Sequence, residues 1–559
     1  YTGRLCTVLA PEELRQGKDY TIRFTYNLIN HNLKRKSSYP FTHVYKDMYD
    51  SAFVQQEAAL YDARGRMMQK KHYAEVAGKD RWIADKAEEW DAFGRTVAQA
   101  YPFATNRKAE DYCSIGDGNG LPERTEYDAL DRPVLQVHAD GTKKGFKYSI
   151  ETYKRNLKRF LTIQIDENGI YTGTLTSPQG WLTGQIAGDG SMTSFAYSPI
   201  GELLQTTDAD GYKTTYQYDR LGRLTGRTHP DAGTTTYTYD PAGNMTKKET
   251  ANLAGQGTAI QYDYTFNRLS DIRYPLRPEN DVHYTYDKAG RITLRQDGTG
   301  AEEFVYDPLG NVAQSLRRVV IPTETAVYVF RTTFKHDSFG GMRDIVYPDG
   351  ETVHYGYKTG GLLQSVTGTK DGQLNIYLED RQYDEQSRKI RQLFGNGVQT
   401  DYKYDEKRQR LTYTHTELPD GATLQDLSYT YDDAGNILNI QHNDLAISTA
   451  QSGKYSDEYI YDAQYRLTEA YGDRYKFRAD YSPAGRQGSR GFETTGVYAE
   501  MVFGYDAGNK SHQPRNIYDV VNGAADLFWD ANGNLAQVIL RKQNAARFHE
   551  WDEENRLRF

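Results

Sequence analysis

The chain has 559 residues, a formal net charge of −8 from 68 basic and 76 acidic residues, and two cysteines, Cys6 and Cys113. Charges of mixed sign leave no basic field for nucleic acid, and two cysteines make no disulfide framework and fix no compartment. With 47 Tyr, 50 Gly and a hydrophobic fraction of 38%, the chain is too poor in aliphatic residues for a thick solid core and too aromatic for disorder. A thin sheet wetted on both faces fits this composition.

Residues 1–56 read as a β lead-in, where Tyr20, Ile22, Phe24 and Tyr26 alternate as a strand. A polar connector over 28–40 carries the densest basic run, Lys34-Arg35-Lys36, which reads as a solvated loop. Residues 57–196 hold the first, irregular copies of a repeated motif, with insertions. Within them Trp82 to Trp90 predicts one short helical turn, and the cluster of Lys154, Arg155, Lys158 and Arg159 predicts another solvated loop. Residues 197–440 are the most regular part. Residues 441–559 resume the motif with an insertion at 487–528 that the pattern does not place, and the array is expected to continue beyond the chain end.

The motif is Tyr or Trp, Asp, two variable residues, Gly, then Arg or Asn. It starts at Tyr61, Trp90, Tyr218, Tyr239, Tyr286, Tyr306, Tyr431 and Trp529, with decayed copies from Tyr127, Tyr197 and His336 to Trp551. Close copies recur at a fixed period, as from Tyr218 to Tyr239, which marks a repeat architecture. Tyr-x-Tyr before the Asp, as in Tyr216/Tyr218 and Tyr237/Tyr239, has strand period and puts both rings on one face. Successive rings are expected to stack as aromatic cross-strand ladders.

Asp-x-x-Gly predicts a type I turn, and Pro fills its second corner at Pro241 and Pro308. Ser replaces the Asp at Ser177, Ser198 and Ser482. Ser keeps the backbone bond of a turn but does not ionise near neutral pH, so the Asp is read as a turn residue, not a catalytic acid. A second turn, such as Pro230-Asp-Ala-Gly233 or Asn396-Gly397, closes each unit into one β-hairpin.

No residue stands out as catalytic, cofactor-binding or metal-binding. Asp117-Gly-Asn-Gly120 and Asp208-Ala-Asp-Gly211 resemble pieces of calcium loops, but the twelfth positions are Asp128 and Asp219 where an EF-hand needs Glu, so both read as turns. His72, His138, His229, His283, His336 and His354 are scattered one per strand or turn, and no phosphate loop is present. The motif Arg at Arg66, Arg95, Arg223 and Arg291 alternates with Asn at Asn244, Asn311, Asn436 and Asn534, which favours a bonding role over chemistry. No stretch is apolar enough to span a membrane and no signal peptide opens the sequence. The chain starts without Met and reads as an internal piece of a longer polypeptide.

The Tyr-Asp-x-x-Gly-Arg-Leu units, the stretch Pro230-Asp-Ala-Gly-Thr-Thr-Thr-Tyr-Thr-Tyr-Asp240 and Tyr127-Asp-Ala-Leu-Asp-Arg-Pro133 resemble RHS (YD-repeat) proteins over roughly 57–559. The lead-in followed by Trp90-Asp-Ala-Phe-Gly-Arg95 resembles that of large secreted bacterial members akin to the toxin-complex B component, and teneurins share a similar shell. The resemblance implies an all-β array of hairpins forming a spiralling sheet that closes into a hollow shell. It also implies a non-enzymatic role: enclosing a C-terminal toxin or effector of the same exported polypeptide, which would be secreted or displayed at the cell surface through bacterial secretion machinery. The rival expectation is an adhesive or carbohydrate-binding surface protein. No RHS core signature with its autoproteolytic Asp is found, so no catalytic residue and no cofactor are carried over.

Overall fold

The computed structural model describes the chain except for residues 1–4, 6, 16, 28–40, 48–53, 63, 86, 119–121, 154–156, 322–325, 444–454, 474, 495–496, 506–511 and 559. The expected connector at 28–40, with Lys34-Arg35-Lys36, and Cys6, Lys154 and Arg155 lie outside the described residues. The rest is two antiparallel sheets, turns and a few short helical segments such as Pro11–Arg15 and Ala251–Ala254.

The first sheet has seven strands: Thr7–Val8, Ile22–Asn27, Phe41–Asp47, Val54–Tyr61, Met67–Val76, Lys79–Ala84 and Phe103–Thr105. It therefore runs well past residue 56, and the motif copy at Tyr61 belongs to it. The helical turn expected at Trp82–Trp90 is instead two strands, Lys79–Ala84 and Ala87–Trp90. The antiparallel pairing of Trp82 with Tyr73 and Thr105 outweighs the local pattern. Where the two sheets meet, Ala84, Ala87, Ala98, Ala100, Phe103, Cys113 and Ile115 form a small core. Fully buried Gln69 clasps it through both backbone groups of Cys113, at 2.8 and 2.9 Å. Fully buried Lys71 donates to the carbonyls of Lys108 and Asp111.

The second sheet holds 39 strands among the described residues, from Ala87–Trp90 to Ala545–Phe548, each paired antiparallel with its chain neighbours. The insertion at 487–528 is part of it, supplying Gln487–Thr494, Val497–Gly504, Asn516–Asp519 and most of Gly523–Trp529. Faces alternate as the Tyr-x-Tyr pattern predicts: in Lys213–Tyr218, Thr214, Tyr216 and Tyr218 are half-buried, while Lys213, Thr215 and Gln217 are exposed.

Each Asp-x-x-Gly segment is the expected turn with one addition. In the unit at Tyr218, the Gly222 N–H donates to the Asp219 carbonyl at 3.0 Å and the Asp219 N–H to the Arg223 carbonyl at 3.0 Å. The pairing register shifts between Gln217 and Tyr218, and Gly222 has φ of +76°. This is a type I turn followed by a left-handed bulge residue, the geometry of a three-residue hairpin loop. Decayed repeats keep the shape without Gly: Ser387 sits at φ +61° in the same place. A left-handed L-residue costs roughly 1–2 kcal/mol, partly offset by the extra chain entropy that Gly brings. Ser387→Gly is therefore expected to stabilise the hairpin at 383–389 by about 0.5–1 kcal/mol, read as slower amide exchange there.

The two ends of the long sheet do not pair with each other among the described strands. The sheet instead winds as a ramp, and its second coil lies on its first. The return turn at Asp166–Gly169 meets the Tyr-Asp turn at Asp432–Asn436, with 23 strands between them, from Tyr171–Thr176 through Thr423–Tyr431. The same count separates Asp210 from Arg486 and Asn252 from Asp530. At about 4.8 Å per strand, 23 strands make a circumference of about 110 Å and a diameter of about 35 Å, more if the strands tilt. Strand rings of this size leave an open bore, and no described segment fills it. The wall is one sheet thick and is closed along the seam between coils.

Candidate functional site

Two constellations repeat along the chain: the joint between hairpins and the seam between coils. In the joint, Asp219 Oδ1 accepts the backbone N–H groups of Leu221 and Arg223 at 2.9 and 3.0 Å, and its Oδ2 accepts Arg223 Nε at 2.6 Å. The backbone N–H of Arg223, then its side chain, holds the Asp219 carboxyl below its ordinary value. Asn takes the same role through Nδ2, as Asn244 does to Asp240 at 2.9 Å. This is why Arg and Asn alternate. Arg reaches further: Arg223 Nη1 donates to the carbonyl of Asp240 in the next unit at 2.9 Å, and its guanidinium covers the Tyr239 ring at 4.9 Å.

The motif Tyr completes the joint by donating backwards. Tyr239 Oη bonds the Leu224 carbonyl at 2.8 Å, Tyr306 that of Ile292 at 2.7 Å, and Tyr431 that of Leu411 at 2.6 Å. Where Trp replaces Tyr, Nε1–H does the same: Trp551 donates to Leu535 at 2.8 Å. A ring carrying one donor is what the position requires. The Tyr–Tyr ladders expected from sequence are not formed between these successive motif tyrosines. Rings two strands apart are separated by roughly 9.6 Å, beyond stacking range, and the Arg guanidinium fills the interval, as Arg388 does over Tyr404 at 4.0 Å.

The seam joins the return turns of the first coil to the Tyr-Asp turns of the second. Asp210 accepts Ser482 Oγ at 2.6 Å and Arg486 Nε at 2.7 Å. Burial pushes the Asp210 carboxyl up, but these two donors hold it below the ordinary range. Tyr465 Oη donates to Asp166 at 2.5 Å and Gln464 Nε2 to Asp189 at 2.7 Å. Arg408 reaches Glu167 at 3.2 Å and Asp140 at 3.5 Å. His512 lies between Asp208 and Asp231, at 2.5 and 2.7 Å. Burial lowers its pKa, but the two carboxylates outweigh it and the net shift is upward. Lys248 pairs with Glu554 at 2.7 Å, and Lys358 with Glu75 at 2.6 Å ties the long sheet to the seven-stranded one. At Gly188 the coils touch through backbone: a Cβ there would stand 1.8 Å from the Ala463 carbonyl oxygen.

The third residue of the Tyr-Asp turn tells the coils apart. In the second coil it is Gln386, Ala434, Gln464, Ala484, Asn532 or Glu554, none of them exposed and four of the six polar, while the turn after Asp405 is one residue longer and sets half-buried Arg408 at the same point, just ahead of left-handed Gln409. On the free edge of the first coil it is Phe93, Leu130, Gln179, Ile200, Leu221, Ala242, Ala289 or Leu309, all exposed.

Of the calcium-like segments, Asp117 bonds Ser114 and Arg107, while Asn119 and Gly120 lie outside the described residues. Asp208 and Asp210 belong to the seam, a role that sequence reasoning missed. No group of three or more His, Cys, Asp or Glu able to hold a metal occurs among the described residues. The scattered His each face a carboxylate in several cases, such as His283 with Asp271 at 2.8 Å and His354 with Asp344 at 2.7 Å. Among the described residues no helix is long and apolar enough to cross a membrane.

Comparison with known proteins places this geometry. Family models match residues 197–234 as an RHS repeat and residues 260–453 as a teneurin YD-shell. Toxin subunit YenC1 of Yersinia entomophaga is 34% identical over 154 residues, which is 26% of this chain and 16% of that protein. Toxin subunit YenC2 of the same organism is 31% identical over 172 residues, 29% of this chain and 17% of that protein. The solved structure of TcdB2-TccC3 superposes with a TM-score of 0.77 at 18% identity, covering 99% of this chain and 33% of that one. The Photorhabdus luminescens Tc holotoxin pore gives 0.74 at 18% identity, covering 93% and 30%. The matches thus span about a sixth of the curated relatives and a third of the solved chains. The chain carries RHS and YD-shell repeats over the matched residues, and its hairpin joint and coiled single-layer wall share the fold of the solved structures.

Proposed function

We propose that this chain is a non-enzymatic segment of shell wall in a large exported bacterial protein, enclosing a toxin or effector domain of the same polypeptide. The observation that carries the reading is the wall itself: one sheet thick, wound about an open bore and sealed coil to coil. The relatives named above are toxin subunits and toxin-complex shells, which supports the same reading. The repeated Asp and Arg are occupied in holding turns and joints. The motif Tyr hydroxyls are bonded and Arg covers ring faces, so these rows offer little free platform for sugar. Sequestration by such a wall keeps an effector from its own cell and from proteases until delivery.

The test is limited proteolysis of the intact polypeptide, with its sequence read past Phe559. A downstream domain resistant in the whole protein but digested when expressed without residues 1–559 supports enclosure. A downstream surface anchor, or a domain equally sensitive in both forms, overturns it. Secretion into the medium or display on the cell surface, measured in the producing bacterium, tests export separately.

A further inference from the structure

The bonds within a coil and those between coils differ in kind. Within a coil, neighbouring strands are held by backbone ladders that do not titrate. Across the seam, side chains do most of the joining, and the acceptors on the first coil are mostly carboxylates. We propose that the seam is an acid-sensitive closure: protonation of the first-coil carboxylates parts the two coils while each coil keeps its strand ladder, giving the bore a lateral opening.

Four neighbouring contacts along one arc carry the inference. At the first, Glu167 accepts from His138 of its own coil at 2.7 Å and faces Arg408 of the second, which also faces Asp140. His138 is shared with Glu123 at 2.8 Å. At the second, Asp189 faces Gln464, with Arg466 nearby in the same turn and Ser191 on its own coil. At the third, Asp210 faces Ser482 and Arg486, and that guanidinium also meets Tyr212 and Tyr505. At the fourth, His512 faces Asp208 and Asp231, with the rings of Tyr212 and His229 beside it.

The direction follows from the charges. Asp189, Asp210 and Glu167 sit below their ordinary values: burial raises each, and the donors just named, preceded at Glu167 by its own backbone N–H, more than reverse it. Their contribution is complete above the ordinary carboxylate range and is lost as pH falls through the lowered values. His512 is raised, so its contribution is complete below the ordinary His value and is lost as pH rises through the raised one. A neutral imidazole can donate to only one of its two carboxylates. The seam is thus tightest between these limits and opens most widely on the acid side, where several contacts release together. This holds whatever the shell encloses.

The test uses the intact chain and zero-length carbodiimide cross-linking read by mass spectrometry. At neutral pH the seam pair Lys248–Glu554 is expected to cross-link, as is the within-coil pair Lys370–Asp349, which lies at 2.7 Å. Below about pH 3, beneath the ordinary carboxylate values, the seam product is expected to fall at least about tenfold relative to the within-coil product, with far-UV strand signal retained. X-ray scattering should show the radius of gyration rising over the same interval. A seam product that persists in proportion down to the loss of strand signal overturns the proposal. So does a double variant E167Q/D210N that opens at the wild-type pH. A variant already expanded at neutral pH with native strand signal supports the assignment, and if it fails to fold, the wild-type cross-links decide.

Discussion

Tyr383→Ala is expected to loosen the wall by about 3–5 kcal/mol, the range for deleting a buried aromatic ring, whereas Tyr383→Phe should cost only about 1 kcal/mol. Tyr383 is 6% exposed, its hydroxyl donates to the Leu363 carbonyl at 2.7 Å, and its own carbonyl accepts the N–H of Ala77 from the seven-stranded sheet at 3.0 Å. The Ala change removes ring packing and the joint to the preceding hairpin together. Phe keeps the ring and leaves one carbonyl without its donor. Stability in a linear array is a sum of local and nearest-neighbour terms, so the loss should stay local. Hydrogen exchange is the measurement: amides near 363–404 and in the 76–79 turn should exchange faster, while those near 216–245 hold. Uniform acceleration along the chain would show that the wall is one cooperative unit.

Gly188→Val is expected to prise the seam open at one place, destabilising it by about 3 kcal/mol, the upper part of the overpacking range. The atom a Cβ would strike is a backbone carbonyl, that of Ala463, which cannot swing aside as a side chain can. Gly188 is not in the left-handed region, so its requirement is for space, not conformation. Faster exchange confined to 187–191 and 462–466, with Gly226→Ala as the milder control, would bear this out. At Gly226 a Cβ would first meet the flexible Gln217 side chain at 3.1 Å. Equal effects of the two substitutions would count against a backbone-tight seam.

The hairpin was legible because each of its causes lies within one repeat. The Pro at Pro241 and Pro308, the Ser at Ser177, Ser198 and Ser482, and the Arg/Asn alternation all report the turn that the structure contains. The Tyr face was legible from its period of two. Its bonding was not, because the Leu224 carbonyl that Tyr239 seeks belongs to another unit and leaves no mark on composition. The strand at Lys79–Ala84 escaped notice because one of its partners, Phe103–Thr105, follows the intervening hairpin of Ala87–Trp90 and Thr96–Ala100. The seam was illegible for a stronger reason. Which turn meets which depends on how many strands complete a coil, a property of curvature that no local pattern encodes. One trace of it does lie in the sequence: the third turn residue changes from Leu221 and Leu309 to Gln386, Gln464 and Asn532 where the coils overlap.

The odd strand count per coil has a bearing on capacity. In an antiparallel sheet the two kinds of turn occupy opposite margins, so a Tyr-Asp turn can meet a return turn only after an odd number of strands. Adding or losing a single strand would bring like margins together and set His512 or Arg486 against the wrong partners. The girth of this vessel can therefore change only by whole hairpins, in steps of roughly 9.6 Å of circumference, or about 3 Å of diameter. Its internal calibre is quantised, and a lineage that needs to carry something larger must duplicate a repeat in every winding or add a winding.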